Sequence, residues 1–389
     1  MARRKIQHDA DGAIADEEVE RMSFSLPPKN PGAKVFADIA ASTKSFRPAR
    51  DVLTKVRAVP TVFPDVDRAL KCGGWPLERV AVVHGPSSHG KTVFCHGLGL
   101  SFLRLGHMYA FVDAEFTTPI TWLDSLMGEH ASAAPFVAMR PKTYEEAVDG
   151  IRSTADGIAE ARAKGRLPPD TTALFVVDSI RKLQPKDLIK RLEKMGAEGE
   201  KGSVDGYGGG AARMKANLNA AWLDELVPLM GSTGCTIILI GRESDDATAD
   251  ARDRQFGRDW KLTGGRALQF DSSMTVRISL AGKVTVGPED AKEIVGERHL
   301  VEVRKTKVAA KVDYVEKAYF WTDENGFDRA RGLLFLGESL GVLKKAGSWI
   351  SYGGHRFQSE ARFVAAATPE LLDSLEVECR AKFGGGTDA

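Results

Sequence analysis

Residues Gly85-Pro86-Ser87-Ser88-His89-Gly90-Lys91-Thr92 read G-x-x-x-x-G-K-T. They follow an apolar run, Val80-Ala81-Val82-Val83, and precede a helical pattern from Val93 to Leu105. The chemistry of such a segment is phosphate binding. Glycines let the backbone curl so that its N–H groups converge on phosphate oxygens, and the helix N-terminus adds partial positive charge. In this pattern Lys91 reaches the β and γ phosphates of ATP, and the Thr92 hydroxyl ligates Mg²⁺.

Two carboxylates stand where such a site needs them. Ala173-Leu174-Phe175-Val176-Val177-Asp178 is an apolar strand closing on an aspartate. Asp178 would hold Mg²⁺, through a water, beside the phosphate loop. Phe111-Val112-Asp113-Ala114-Glu115 ends another strand. Glu115 is the expected catalytic base, orienting the water that attacks the γ phosphate. Asp113 is the rival, two residues earlier and expected to face the other way or to cap a helix. Trp122 either stacks on adenine or packs in the core.

The elements that must position these groups form an alternating pattern. Buried strands are expected at Arg79–His84, Met108–Ala114, Ala173–Val177 and Thr236–Ile240. Amphipathic helices over Tyr144–Lys164 and Ala211–Met230 separate some of them. This alternation implies right-handed crossovers and a parallel sheet covered on both faces. Ligands then bind beyond the strand C-termini, where every candidate residue is expected to lie. Residues 193–210 are glycine-rich and charged, and 242–265 are polar with almost no aliphatic side chains. Long irregular loops inside a domain are uncommon, so both are expected to be functional.

Composition narrows the choice. The 389 residues are 43% hydrophobic, enough for one large domain with appendages. A net charge of +1 means that any DNA site is a local patch and not a basic surface. The cysteines Cys72, Cys95, Cys235 and Cys379 lack C-x-x-C spacing. That argues against zinc or a disulfide framework and fits a reducing, cytoplasmic setting. No apolar run is long enough for a membrane span, and the charged N-terminus lacks a signal peptide's apolar stretch.

Taken together, these segments resemble the RecA-type recombinases, in a bacteriophage or divergent bacterial form. The resemblance runs from about Pro60 to Lys382. It rests on Val66-Asp67-Arg68-Ala69-Leu70-Lys71-Cys72-Gly73-Gly74-Trp75-Pro76 leading into the phosphate loop, on the Glu115 and Asp178 strands, and on Pro185-Lys186. It also rests on Ala211-Ala212-Arg213-Met214, Leu262-Thr263-Gly264-Gly265-Arg266-Ala267-Leu268-Gln269-Phe270, Val303-Arg304-Lys305-Thr306-Lys307-Val308-Ala309-Ala310 and the Lys344–Tyr352 stretch. It implies a RecA-like P-loop ATPase core at 51–327 with a mostly parallel central sheet. A tail and polymerisation arm would occupy 1–50, and a small C-terminal α/β lobe 328–389. DNA-binding loops would span about 187–212 and 242–265.

The resemblance further implies a homo-oligomeric helical filament on single-stranded DNA, paired with homologous double-stranded DNA. ATP would lie between protomers in a bacterial, or phage-infected, cytoplasm. Lys305 and Lys307 would reach the γ phosphate of the adjacent protomer, and Phe270 would sit at the protomer interface. Arg213, Thr263, Gly264, Gly265 and Arg266 would contact DNA, with Phe256 as a base wedge or a partial anchor.

The chain also departs from that pattern. Gly241-Arg242 stands where the family has Asn-Gln, so Arg242 would take the phosphate-sensing place as a cation. Lys311 replaces a proline near the nucleotide. In the second loop Glu243, Asp245, Asp246, Asp250, Asp253 and Asp259 offset Arg242, Arg252, Arg254, Arg258, Lys261 and Arg266. Two other readings compete with an active recombinase. One is a hexameric helicase of the same fold, disfavoured by Lys305, Lys307 and the Thr263-Gly264-Gly265 end. The other is a non-exchanging, ATP-gated DNA-binding scaffold or accessory protein.

Overall fold

The structure is a computed structural model. It describes Val35, Asp38, Ile39 and Ser42, and then residues 55–190, 208–245, 250, 252, 260–287, 291–309 and 315–384. Phe256, Lys311 and most of the first expected DNA loop lie outside the described residues. The chain divides into two units, Met1–Lys55 and Val56–Ala389. In the first, Val35, Asp38, Ile39 and Ser42 are helical and the Ser42 hydroxyl donates to the Ile39 carbonyl at 2.8 Å.

The second unit begins with β1 (Ala58–Val59), α1 (Pro64–Leu70) and β2 (Trp75–Pro76). Then come β3 (Val80–His84), α2 (Lys91–Arg104), β4 (Met108–Asp113), α3 (Ile120–Met127), β5 (Phe136–Met139), α4 (Tyr144–Ala163) and β6 (Ala173–Asp178). After these follow α5 (Gly208–Thr233), β7 (Thr236–Ile240), β8 (Glu243–Asp245), β9 (Trp260–Leu262), α6 (Ala267–Phe270), β10 (Met274–Val286), β11 (Glu293–Thr306), β12 (Glu316–Asp323) and β13 (Gly326–Phe327). The last elements are α7 (Arg329–Ser339), β14 (Lys344–Ala346), β15 (Trp349–Tyr352), β16 (His355–Phe357), α8 (Glu360–Ala366) and α9 (Pro369–Gly384).

Nine strands form the central sheet, in the order β13-β12-β11-β10-β3-β7-β6-β4-β5. From β10 to β5 every pairing is parallel, and β11 to β13 extend the sheet antiparallel. The mostly parallel sheet expected from the sequence is therefore present, with an antiparallel flank. Alternating side chains build a core on each face. Ala81, Val83, Phe111, Val176 and Ile238 pack with Phe94, Leu98 and Phe102 of α2. Val80, Val82, Val112, Phe175 and Leu239 pack with Ile151 of α4 and with Trp222 and Leu226 of α5. Because both faces are covered, the central strands have no polar side, and their polar residues stand only at strand ends, which explains the apolar runs.

The α7–α9 region has a core of its own, including Leu333, Leu336, Ile350, Phe363 and Leu375, beside the three-stranded sheet β14-β15-β16. Arg380 of α9 ties it to the start of the unit, donating to Asp67 at 2.7 Å and to the Thr61 carbonyl at 2.9 Å.

Candidate functional site

The sheet order, not the chain order, assembles the site. β3, β7, β6 and β4 are consecutive neighbours and run in the same direction. Their C-terminal ends deliver, side by side, the phosphate loop, Arg242, Asp178 and Glu115. A doubly wound parallel sheet places ligand sites at this rim.

The loop from Gly85 to Gly90 joins β3 to α2, with Gly90 as the N-cap at φ 90°. Its two glycines are required by space as well as by φ. A Cβ on Gly85 would lie 2.0 Å from the Ile278 carbonyl oxygen, and one on Gly90 would lie 2.6 Å from the His299 ring. Histidines brace the loop from below: the Leu280 N–H donates to His89 Nδ1 at 3.3 Å, and His299 Nδ1 donates to the His89 carbonyl at 3.2 Å. Ser87 and Ser88 are exposed, and Pro86 is half-buried. Lys91 Nζ donates to the carbonyls of Gly85 and Pro86 at 3.0 and 2.6 Å. Burial lowers the Lys91 pKa from its ordinary value, partly offset by Asp178.

Thr92 Oγ1 donates to Asp178 Oδ2 at 2.5 Å. Burial raises the Asp178 carboxyl to about 6 against the opposing pull of the Thr92 hydrogen bond. Two adjacent hard oxygen donors fit Mg²⁺, which keeps several waters and takes one or two protein ligands plus phosphate oxygens. Among the described residues no cluster of three or more His, Cys, Asp or Glu forms an all-protein metal cage.

Glu115 accepts two hydrogen bonds on Oε1, from Ser179 Oγ at 2.8 Å and from Arg242 Nη2 at 2.6 Å. Burial pushes its pKa up, but the bonds from Arg242 and Ser179 outweigh that and hold it below the ordinary value. Ser179 had no role in the sequence reading, although its place directly after Asp178 was a usable signal. Asp113 turns elsewhere. Its carboxylate accepts from the N–H groups of Thr117 and Thr118, both at 3.3 Å, and from Arg140 Nε at 3.0 Å. It closes the turn before α3 and does not cap a helix. Trp122 packs against the core beside α2, its ring edge-on to His96 at 5.4 Å.

The segment 242–265 is not irregular at its base: β8 and β9 pair antiparallel. Thr263 closes this ribbon, its N–H and Oγ1 both donating to the Arg242 carbonyl at 2.9 Å. Gly264 and Gly265 have φ of 108° and 100°, and the Gly264 carbonyl accepts from Asn219 Nδ2 at 2.8 Å. Arg213 on α5, Arg266 and Phe270 are exposed, Phe270 at 65%.

Glu243 corrects the charge count made for this loop. Its side chain is 6% exposed and points inward. It pairs with His84 Nδ1 at 2.7 Å and with Arg277 Nε at 2.8 Å, so it offsets no loop cation. Arg277 continues to Glu302 at 3.2 Å, Glu302 accepts from Arg304 at 3.0 Å, and both guanidinium groups lie over the Trp260 ring. Nothing local in the sequence marks this cluster, because its members come from five strands.

Lys305 and Lys307 do close a strand, but β11 runs antiparallel, so they do not lie on the rim formed by the C-terminal ends of the parallel strands. They stand at the end of β11, where Thr306 pairs with Met274 and Met274 with Ala81. The Ser273 N–H donates to the Val80 carbonyl at 2.8 Å. The lysines therefore occupy the rim where β3 begins, and β3 spans about 13 Å before the phosphate loop starts. Both ammonium groups donate to carbonyls at the end of α6: Lys305 to Gln269, to Phe270 at 2.8 Å and to Ser272 at 2.7 Å, and Lys307 to Phe270 at 2.9 Å. Burial, reinforced by Lys307, lowers Lys305 to about 8.

A glycine loop between a buried parallel strand and a helix, with a hydroxyl–carboxylate pair and a second carboxylate on neighbouring strand ends, defines a nucleotide-binding protein of the P-loop α/β class. A model of the RecA N-terminal domain matches residues 48–324, most of the chain, and the chain belongs to the RecA family. It is 28% identical over 331 residues to Protein RecA of Geobacter sulfurreducens, covering 84% of this chain and 86% of that protein. It is 29% identical over 359 residues to Protein RecA of Kineococcus radiotolerans, covering 90% and 92%. Protein RecA of Cytophaga hutchinsonii is 28% identical over 335 residues, covering 85% and 83%. Membership supports a recombinase-like function that uses ATP and DNA. No helix among the described residues is long and apolar enough to cross a membrane.

Proposed function

We propose that this chain is an ATP-dependent DNA recombinase that forms a helical filament on single-stranded DNA and pairs and exchanges homologous strands. The observation that carries the reading is the separation of two rims. Lys91, Thr92, Asp178 and Glu115 occupy one edge of the sheet, whereas Lys305 and Lys307 occupy the other. A head-to-tail contact would bring one protomer's lysines to the next protomer's phosphates, and a heterologous contact that does not close gives a filament. Phe270, exposed beside the lysines, would lie in that contact.

In this reading Lys91 and the loop N–H groups hold the triphosphate, and Glu115 orients and deprotonates the attacking water. The partner's Lys305 and Lys307 offset the charge that grows on the γ phosphate. Thr92 and Asp178 would hold Mg²⁺, which would supply charge neutralisation at the phosphates. Gly264 and Gly265 present backbone N–H groups to DNA phosphates without reading sequence, and Arg213 and Arg266 add charge-assisted contacts. Hydrolysis needs no chemistry on DNA and serves to release it, in the reducing cytoplasm of a bacterial cell.

The test is ATP hydrolysis with and without single-stranded DNA, with Lys91→Ala as the blank. Strong stimulation that disappears in both Lys91→Ala and Lys305→Ala supports a filament with a site completed in trans. A second reading has its own observation. The Arg242–Glu115 ion pair engages the expected base, as it would in a scaffold that binds ATP and DNA without turnover. ATP binding with background hydrolysis on every DNA tried would select it.

A further inference from the structure

Arg242 and Glu243 are adjacent and point into different clusters, one into the nucleotide rim and the other into the buried charge network. The backbone between them is fixed from several sides. The Gly241 N–H donates to the Val83 carbonyl at 2.8 Å, and the Arg242 carbonyl accepts both bonds from Thr263. The Glu243 carboxylate is held by His84 and Arg277. The Arg242 side chain is thus a long arm on an anchored base, and only its torsions can redirect the guanidinium.

That guanidinium lies on Glu115 Oε1, already bonded by Ser179, so one carboxylate oxygen carries two donors. The pair is accessible, with 34% of the Arg242 side chain and 22% of the Glu115 side chain exposed. Among the described residues no other acceptor is bonded to the Arg242 side chain, which leaves most of its planar fork open to a second anion. A carboxylate pinned by an ion pair is less able to take up and orient a water than one that is released, and a phosphate is a strong competitor for a guanidinium.

We propose that Arg242 is a positioning residue that clasps Glu115 and holds hydrolysis down until single-stranded DNA on the β8–β9 ribbon shifts its guanidinium from the carboxylate to the γ phosphate of bound ATP. The ribbon is the natural input, because its closing residue Thr263 is bonded to the same peptide that carries the arm. The proposal rests on the ATPase reading above. It goes beyond that reading by giving Arg242 two successive partners and a repressive role in the first.

The experiment compares ATP turnover, with and without single-stranded DNA, in the parent, Arg242→Gln, Arg242→Lys and Glu115→Gln. Thermal melting and binding of a non-hydrolysable ATP analogue establish that each variant is folded and loads nucleotide. The expected result is that Arg242→Gln hydrolyses ATP several-fold faster than the parent without DNA, and that its KM for ATP in the presence of DNA is raised above the parent's by the lost phosphate contact. The ratio of DNA-stimulated to DNA-free rate should collapse towards one. Arg242→Lys, which keeps the charge, should restore part of the repression, and Glu115→Gln should be silent throughout. DNA-free turnover in Arg242→Gln at or below the parent's, with only the stimulated rate lost, would overturn the clasp and leave Arg242 an activator. A parent silent on all DNA beside an active Arg242→Gln would keep the clasp and remove the DNA-coupled reading. Silence in both, with nucleotide bound, would overturn both.

Discussion

Asp178 shows how burial and function oppose each other in one side chain. Its folded-state carboxyl is raised to about 6 from 3.8, so the native state holds a proton over a window in which the unfolded chain has lost it. The sign follows from linkage: this group contributes stability fully below about pH 4 and loses it as pH rises through about 6. Asp178→Asn removes the cost of an ionised buried carboxylate. The variant should therefore gain on the parent as pH rises from 4 to 8, by up to about 3 kcal/mol for a shift of this size. Thermal melts of the nucleotide-free protein across that range measure it, and a pH-independent difference would contradict it. The same substitution should abolish Mg²⁺-dependent nucleotide binding, separating stability from function at a single residue. Asp178 and Glu115 were readable as residue types at strand ends, but the bonds from Ser179 and Arg242 that set Glu115 were not.

At the scale of elements, the ribbon β8–β9 matters more than its length suggests. It joins the end of β7 to β10 and β11 through Glu243, Arg277, Glu302, Arg304 and Trp260. Glu243→Ala would leave a buried arginine and histidine facing a missing partner, so it should cost about 3 kcal/mol or more in urea unfolding. Glu243→Gln keeps the hydrogen-bonding shape and should cost less. Equal, negligible costs for both would mean that the network is not a structural joint. Gly264→Ala is a second test of the same element. At φ 108° its Cβ would lie 2.8 Å from Leu268 and 2.9 Å from Asn219, so a loss of about 1–3 kcal/mol is expected in thermal or chemical melts. The element boundaries of β3, β4, β6 and β7 were readable to within a residue because fully buried strands are continuously apolar. The ribbon was hidden because its stability comes from partners on other strands and not from its own polar sequence.

For the whole molecule, the two rims make a sharp prediction about assembly. If each ATP site is completed by a neighbour, Lys91→Ala and Lys305→Ala protomers are each inactive alone, but together they can form intact sites. Random mixing in equal amounts should restore roughly a quarter of the interfaces, each pairing a good phosphate loop with good lysines. DNA-stimulated ATPase of the mixture should rise above both pure variants, and no recovery would place Lys305 outside the trans site. The phosphate loop, the carboxylates closing two apolar runs, the buried strands and the family were legible in the chain alone. Each of these is written in local spacing, where the chemistry of a few adjacent residues constrains one backbone geometry. Only the tertiary structure decided that β3, β7, β6 and β4 stand side by side, that Arg242 meets Glu115, that Glu243 turns inward, and that Lys305 and Lys307 lie on the opposite rim. The reason is physical: strand order and the direction of each crossover bring together residues far apart in the chain, and no local pattern records which strand a given end will face.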